Sequence, residues 1–214
     1  NMSRMFEGAS TFNQPIGDWN VSSVTNMSHM FYGARMFNKS IEGWDTSMVE
    51  DMSYMFDNAV AFDQPIGTWD TSKVTNMAGA FMYKRQFNQD LSNWDVSQVT
   101  NMKHMFYEAQ TFDQDLSRWN TKNVKDMTGM FYAALKFNQN VGNWDVGQVT
   151  DMSYMFKHAQ SFNFDLSSWK GPAVEATAHE IFEDAQNFLE SFPCAGMSIH
   201  GPVAACNWFK AGVE

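Results

Sequence analysis

Apolar side chains recur along the chain in one register, and that register repeats every 25 residues from Asn1 to Glu175 with no insertion or deletion. Seven blocks begin at Asn1, Asn26, Asp51, Asn76, Asn101, Asp126 and Asp151. In the third block Met52, Met55, Phe56 and Ala59 stand at i, i+3, i+4 and i+7, the spacing of one helical face. The opening Asn or Asp is a strong N-cap residue, because its side-chain oxygen accepts from an unpaired N–H of the first turn. The pattern predicts a short helix of about two turns in each block, too short to stand alone in water and therefore dependent on stacking. Phe follows at position 12 of every block (Phe12 to Phe162), which predicts a stacked aromatic column in the core. The Asn or Asp after it (Asn13, Asn38, Asp63, Asn88, Asp113, Asn138, Asn163) predicts a ladder that satisfies backbone groups at a corner.

The second half of each block reads like Ile16-Gly17-Asp18-Trp19-Asn20-Val21, of the form L-x-x-L-x-L. Period-two alternation turns Trp19 and Val21 inward on a short parallel strand. The fold expected is an α/β solenoid, leucine-rich-repeat-like, with one short parallel strand and one short helix per 25-residue repeat and a C-terminal helical cap. Residues 1–175 form the seven repeats of one solenoid. Residues 176–214 form a degenerate eighth repeat and the cap. There the helix pattern returns one residue late over Thr177–Phe188, lengthened, with Ile181, Phe182, Ala185 and Phe188 in the Met, Phe, Ala and Phe slots and Glu180, Glu183, Asp184 and Glu190 facing out. The tail through Trp208 and Phe209 is expected to close the last open core, because a terminal repeat otherwise exposes its apolar face. At the other end Met2, Met5 and Phe6 lack a lid, so either the natural chain continues upstream or this end meets another molecule, including a second copy.

Composition narrows the function classes. The chain has 214 residues, 14 Lys and Arg against 24 Asp and Glu, and a formal charge of -10. Its few cations are scattered, which argues against a nucleic-acid binder, since displacing counterions from phosphates needs a basic stripe. No apolar run approaches the ~18 residues that a membrane span requires. Cys194 and Cys206 lie beyond the repeats; a bridge between them would contribute roughly 3 kcal/mol in the chain-entropy model and implies an oxidising, extracellular or cell-surface compartment. Catalysis finds no support: the five His have no metal-ligand spacing, no nucleophile elbow is present, and no cofactor motif occurs.

The phrase from Trp94 through Gln114, W-D-V-S-Q-V-T-N-M-K-H-M-F-Y-E-A-Q-T-F-D-Q, resembles the 25-residue repeat of the BspA-like leucine-rich-repeat surface proteins, which include the mycoplasma lipoprotein-type repeats. The resemblance spans all seven blocks. It implies a leucine-rich-repeat-like solenoid displayed on cell surfaces, often adhesive, and brings no catalytic or binding residue with it.

Three faces compete as contact surfaces. Positions 4 and 7 place His29, Tyr32, Tyr54, His104, Tyr107, Tyr132 and Tyr154 where a solvated helix would carry Lys or Glu, and a ring with a polar tip suits a sugar or a protein. These seven are the candidate binding residues, with packing against the adjacent repeat as the alternative. Asp45, Asp70 and Asp95 form a column of like charges about 4.8 Å apart that a hard cation such as calcium would relieve, unless each simply accepts from its Ser two residues on. The apolar N-terminal end is the third. The function expected is a non-enzymatic module for adhesion to, or recognition of, a protein or glycan on another surface; the alternative is a structural subunit that assembles through its N-terminal end.

Overall fold

The computed structural model describes residues 1–169 and 178–192. Within them the chain is a compact stack of repeats in which each 25-residue block hydrogen-bonds to the next. Asn26, Asp51, Asn76, Asn101, Asp126 and Asp151 form five successive parallel bridges at block position 1. Among the described residues the one regular helix is α1, Gln186–Ser191, and no helix is long and apolar enough to cross a membrane.

The expected helix in each block is not formed; positions 2–9 are a run of tight turns instead. Block positions 4 and 8 have positive φ throughout, as at His29 (56°), Gly33 (67°), His104 (57°) and Glu108 (54°), and a left-handed residue at every fourth position stops a helix from propagating. The N–H groups divide accordingly. Those at positions 5, 7 and 9 donate three residues back, as Met105 N does to the Met102 carbonyl at 3.1 Å. Those at positions 2, 4, 6 and 8 reach the next block: Met102 N to Asp126 O at 2.9 Å, His104 N to Thr128 O at 2.8 Å, Phe106 N to Met130 O at 2.9 Å and Glu108 N to Tyr132 O at 2.8 Å. A helix would turn the donors at positions 6 and 8 back onto the carbonyls four residues earlier in the same block. The opening Asn or Asp still caps an N–H, but as an Asx turn: Asp51 Oδ1 accepts from Ser53 N and Asp126 Oδ1 from Thr128 N, each two residues on.

The expected strand at positions 16–21 is also absent among the described residues. Trp44 N closes a tight turn on the Ile41 carbonyl, and over positions 16–21 the links between repeats come from side chains, the backbone bonds resuming at position 25, as from Thr100 N to Thr75 O. Each Trp indole from Trp44 to Trp169 donates to the position-16 carbonyl of the preceding block, as Trp94 Nε1 does to Ile66 O at 3.0 Å, while Thr46, Thr71 and Thr121 donate Oγ1 to the position-20 carbonyl of the following block. A buried polar tip with a partner at hydrogen-bond distance is what keeps a Trp column from carrying an unsatisfied donor.

Three aromatic columns fill the core. Position-6 rings stack from block to block, as Phe31 on Phe56 at 5.6 Å and Phe106 on Phe131 at 5.6 Å. Position-12 rings lie parallel to their own block's position-6 ring, as Phe106 on Phe112 at 4.1 Å, and Trp69 stacks on Trp94 at 6.4 Å. The position-13 ladder is present: Asn13 Oδ1 accepts from Asn38 N, Asn38 Oδ1 from Asp63 N and Asp113 Oδ1 from Asn138 N. The periodicity slips by one residue at the last block. Phe156 N bonds Ile181 O, Phe156 stacks on Phe182 at 5.6 Å and Phe162 on Phe188 at 5.7 Å. Residues 178–185 are turns, and α1 begins only after Ala185. The expected bridge between Cys194 and Cys206 and the Trp208 and Phe209 lid lie outside the described residues.

Candidate aromatic groove

The turn ladder decides where the side chains of positions 4 and 7 stand. Both positions point away from the Met and Phe core, and because each block repeats the last at a fixed offset, their side chains line up along the stack. His104, Tyr107, Tyr132 and Tyr154 come together in one open groove of about 440 Å³, with Met82, Tyr83, Lys157 and Glu180 completing its walls. His29, Tyr32 and Tyr54 form a separate cluster two repeats away, where His29 stacks on Tyr54 at 4.9 Å and lies 5.9 Å from Tyr32. The seven candidates are therefore two groups.

Glycine makes the grouping possible. Gly79 and Gly129 occupy position 4 of their blocks with φ of 59° and 57°, a conformation that suits glycine. A Cβ at Gly79 would sit 2.3 Å from Tyr54 Cδ1, and one at Gly129 would sit 2.6 Å from His104 Cδ2. Tyr54 and His104 each lie over the bare backbone of the next block.

Within the groove one pair of rings is stacked and the others meet edge-on. Tyr107 stacks on Tyr132 at 4.3 Å with planes 2° apart, and Tyr83 meets Tyr107 edge-on at 5.6 Å. Tyr132 meets His158 at 5.2 Å and Tyr154 meets His179 at 5.6 Å, both edge-on. The Tyr107–Tyr132 stack covers one face of each of these two rings, so the groove offers hydroxyls and ring edges beside partly covered faces. Packing against the adjacent repeat and exposure to solvent are thus both true of these residues; Tyr32 is the most open, 39% exposed.

Electrostatics sharpen the picture. Burial raises the Tyr107 hydroxyl well above the usual tyrosine range, with the hydrogen-bonded Tyr132 adding to it, and burial likewise raises Tyr54 and Tyr83. His104 is held below the usual imidazole range by burial and then by Lys103, and His29 by burial and then by Arg4. At the groove's end Lys157 Nζ lies 2.6 Å from Glu180 Oε2 and also meets Glu183 Oε2, which raises the lysine and draws Glu180 down to about 2. Glu180 and Glu183, expected to face out, lie against Lys157, and Asp184 reaches His158 at 3.1 Å.

Asp45 and Asp70, held below the usual carboxylate range by bonds from Ser47 and Ser72, are each turned onto their own chain. Asp45 Oδ1 accepts Ser47 Oγ at 2.6 Å, Asp70 Oδ1 accepts Ser72 N at 2.9 Å and Asp95 Oδ1 accepts Ser97 N at 2.9 Å. Among the described residues no three His, Cys, Asp or Glu converge as a metal site. At the first block Met5 is 47% and Trp19 40% exposed, whereas Trp44 to Trp169 are buried under a neighbouring block.

Sequence reasoning missed Met82, Tyr83 and Lys157 as wall residues. Tyr83 had a signal: it takes position 8, a left-handed site that Gly8, Gly33 and Asn58 fill in the first three blocks. Lys84 and Asp57, both buried, were missed for the same reason, since the eye follows what recurs rather than what departs.

The architecture defines a repeat protein whose unit is a 25-residue turn ladder with regularly spaced Phe and Trp. A family model described as "Mycoplasma protein of unknown function, DUF285" matches residues 1–94 and 75–193, and the chain belongs to that family. No curated protein matches it.

Proposed function

We propose that this chain is a non-enzymatic recognition module, a solenoid with BspA-like repeats displayed at the cell surface, which grips a protein or glycan of another surface along the aromatic groove. The observation that carries this reading is the convergence of His104, Tyr107, Tyr132 and Tyr154 with Met82 and Tyr83 in one open groove on an otherwise repetitive stack. Tyrosine supplies large contact area at low conformational cost together with a hydrogen-bonding tip, and methionine adapts its shape to a partner. The grip combines tyrosine hydroxyls and ring edges with the methionine, because the Tyr107–Tyr132 stack covers one face of each of those two rings.

The test is a binding screen of the chain against glycans and surface proteins, followed by Tyr107→Ser/Tyr132→Ser and, separately, Met82→Glu, each checked for an unchanged core by thermal unfolding. The expected outcome is a partner whose affinity falls at least tenfold in both variants. A verified partner bound equally well by both would remove the groove from the account.

A further inference from the structure

A second groove, of about 380 Å³, lies beside the first and is lined by Arg35, Asn58, Val60, Tyr83 and Arg85. Arg35 and Arg85 both occupy block position 10, two repeats apart, which sets their backbones roughly 10 Å from each other at the usual strand-to-strand spacing. Val60 takes the same position in the block between them, is 45% exposed and lines the same groove, which puts an apolar side chain between the two arginine positions. Arg35 is exposed and has no carboxylate partner among the described residues. Arg85 gives one nitrogen to Glu108 Oε2 at 2.8 Å and keeps 60% of its side chain in solvent, which leaves most of its five donors unused. Asn58 and Tyr83 add neutral hydrogen-bonding groups, both at left-handed position 8. The chain as a whole carries a formal charge of -10, so a groove lined by two arginines, one of them paired with Glu108, runs against the overall balance.

We propose that the Arg35–Arg85 groove binds an acidic sugar, one that carries a carboxylate or sulfate on a hydroxylated ring. The guanidinium fork matches carboxylate and sulfate geometry in a way that a point charge does not. The ring hydroxyls pair with the Asn58 amide and the Tyr83 hydroxyl, and the apolar ring face rests on Val60. A bare inorganic anion uses only the arginines. The carboxylate of an acidic peptide sits on a flexible stem and leaves Val60 uncovered. Tyr83 belongs to both grooves, whereas Arg35, Asn58, Val60 and Arg85 line only this one.

The experiment is a titration followed by amide and side-chain NMR, with a sulfated uronate disaccharide as probe and three comparison ligands: a neutral disaccharide of equal size, inorganic sulfate, and a short glutamate-containing peptide. The proposal expects saturable shifts at Arg35, Asn58, Val60 and Tyr83 with the acidic disaccharide, at least tenfold weaker binding in Arg35→Ala, partial recovery in Arg35→Lys, and weakening as salt rises. It is overturned if the acidic disaccharide produces no shifts or if Arg35→Ala binds as the parent does. Equal binding of the neutral sugar or of sulfate alone also overturns it, and tighter binding of the peptide assigns the groove to a protein partner instead. Arg35 is exposed and outside the aromatic groove, so its result stands apart from that of Tyr107 and Tyr132.

Discussion

Lys84 stands at block position 9, where the other described blocks carry alanine, and it is buried with its ammonium on the Ala59 carbonyl and 3.1 Å from that of Val60. The same block has Ala80 at position 5, where the others carry Met or Ile. Large and small side chains are exchanged between two inward positions, which leaves volume for the lysine stem. Burial pushes Lys84 down to about 7, and burial pushes Asp57, one block earlier, up to about 7. The signs follow from proton counting. Between the ordinary carboxylate range and pH 7 the folded state holds a proton on Asp57 that the unfolded chain has lost, so stability falls as pH rises through that window. Between pH 7 and the ordinary lysine range the unfolded chain holds a proton that folded Lys84 lacks, so stability rises with pH. Denaturant titrations should therefore show a stability minimum near pH 7. Asp57→Asn should flatten the acidic limb and Lys84→Met the basic one, and Lys84→Met should stabilise the protein by about 1–4 kcal/mol at neutral pH. A profile in which neither variant changes its limb would contradict the burial of these groups.

At the scale of the element, the 25-residue period and its inward identities were legible in the chain, and the type of element was not. Positions 2, 5, 6 and 9 satisfy a helical period of 3.6, but they are equally the pairs 2 and 6, and 5 and 9, of a period of four. Over two turns the two periods differ by less than one residue. What separates them is the left-handed residue at positions 4 and 8, and this chain fills those sites with Arg, His, Tyr, Glu and Ala as readily as with Gly or Asn. The strand pattern misled in a similar way, because Trp19 and Val21 alternate as in a strand while the indole N–H of later repeats takes over the bond that a backbone ladder would make. Of the candidate residues, the column positions were readable, but their split into two groups depends on Gly79 and Gly129 as seats for the preceding ring. Gly129→Ala tests that role without touching an aromatic side chain. It should cost about 1–3 kcal/mol through strain at positive φ, move His104 and Tyr107, and weaken any groove ligand, read by thermal unfolding and by the His104 ring resonances. An unperturbed His104 would mean that the ring does not lie on this backbone.

At the scale of the whole molecule, each repeat gives half of its turn N–H groups to the next repeat and its indole to the previous one, so neither a block nor a turn is complete alone. Stability then comes from nearest-neighbour interfaces, and the outer surface is left free to vary, which is where both grooves lie. Both grooves depend on the ladder, because it sets the offset at which positions 4, 7 and 8 of successive blocks line up, with position 10 held by its own bonds such as Ala61 N to Arg35 O. The most direct measurement is the scalar coupling transmitted across hydrogen bonds in an isotope-labelled sample. The ladder predicts a coupling from the Phe106 amide nitrogen to the Met130 carbonyl carbon, and from Glu108 to Tyr132, each 24 residues away. A coupling from Phe106 to the Met102 carbonyl, four residues back, would restore the helix and contradict this account.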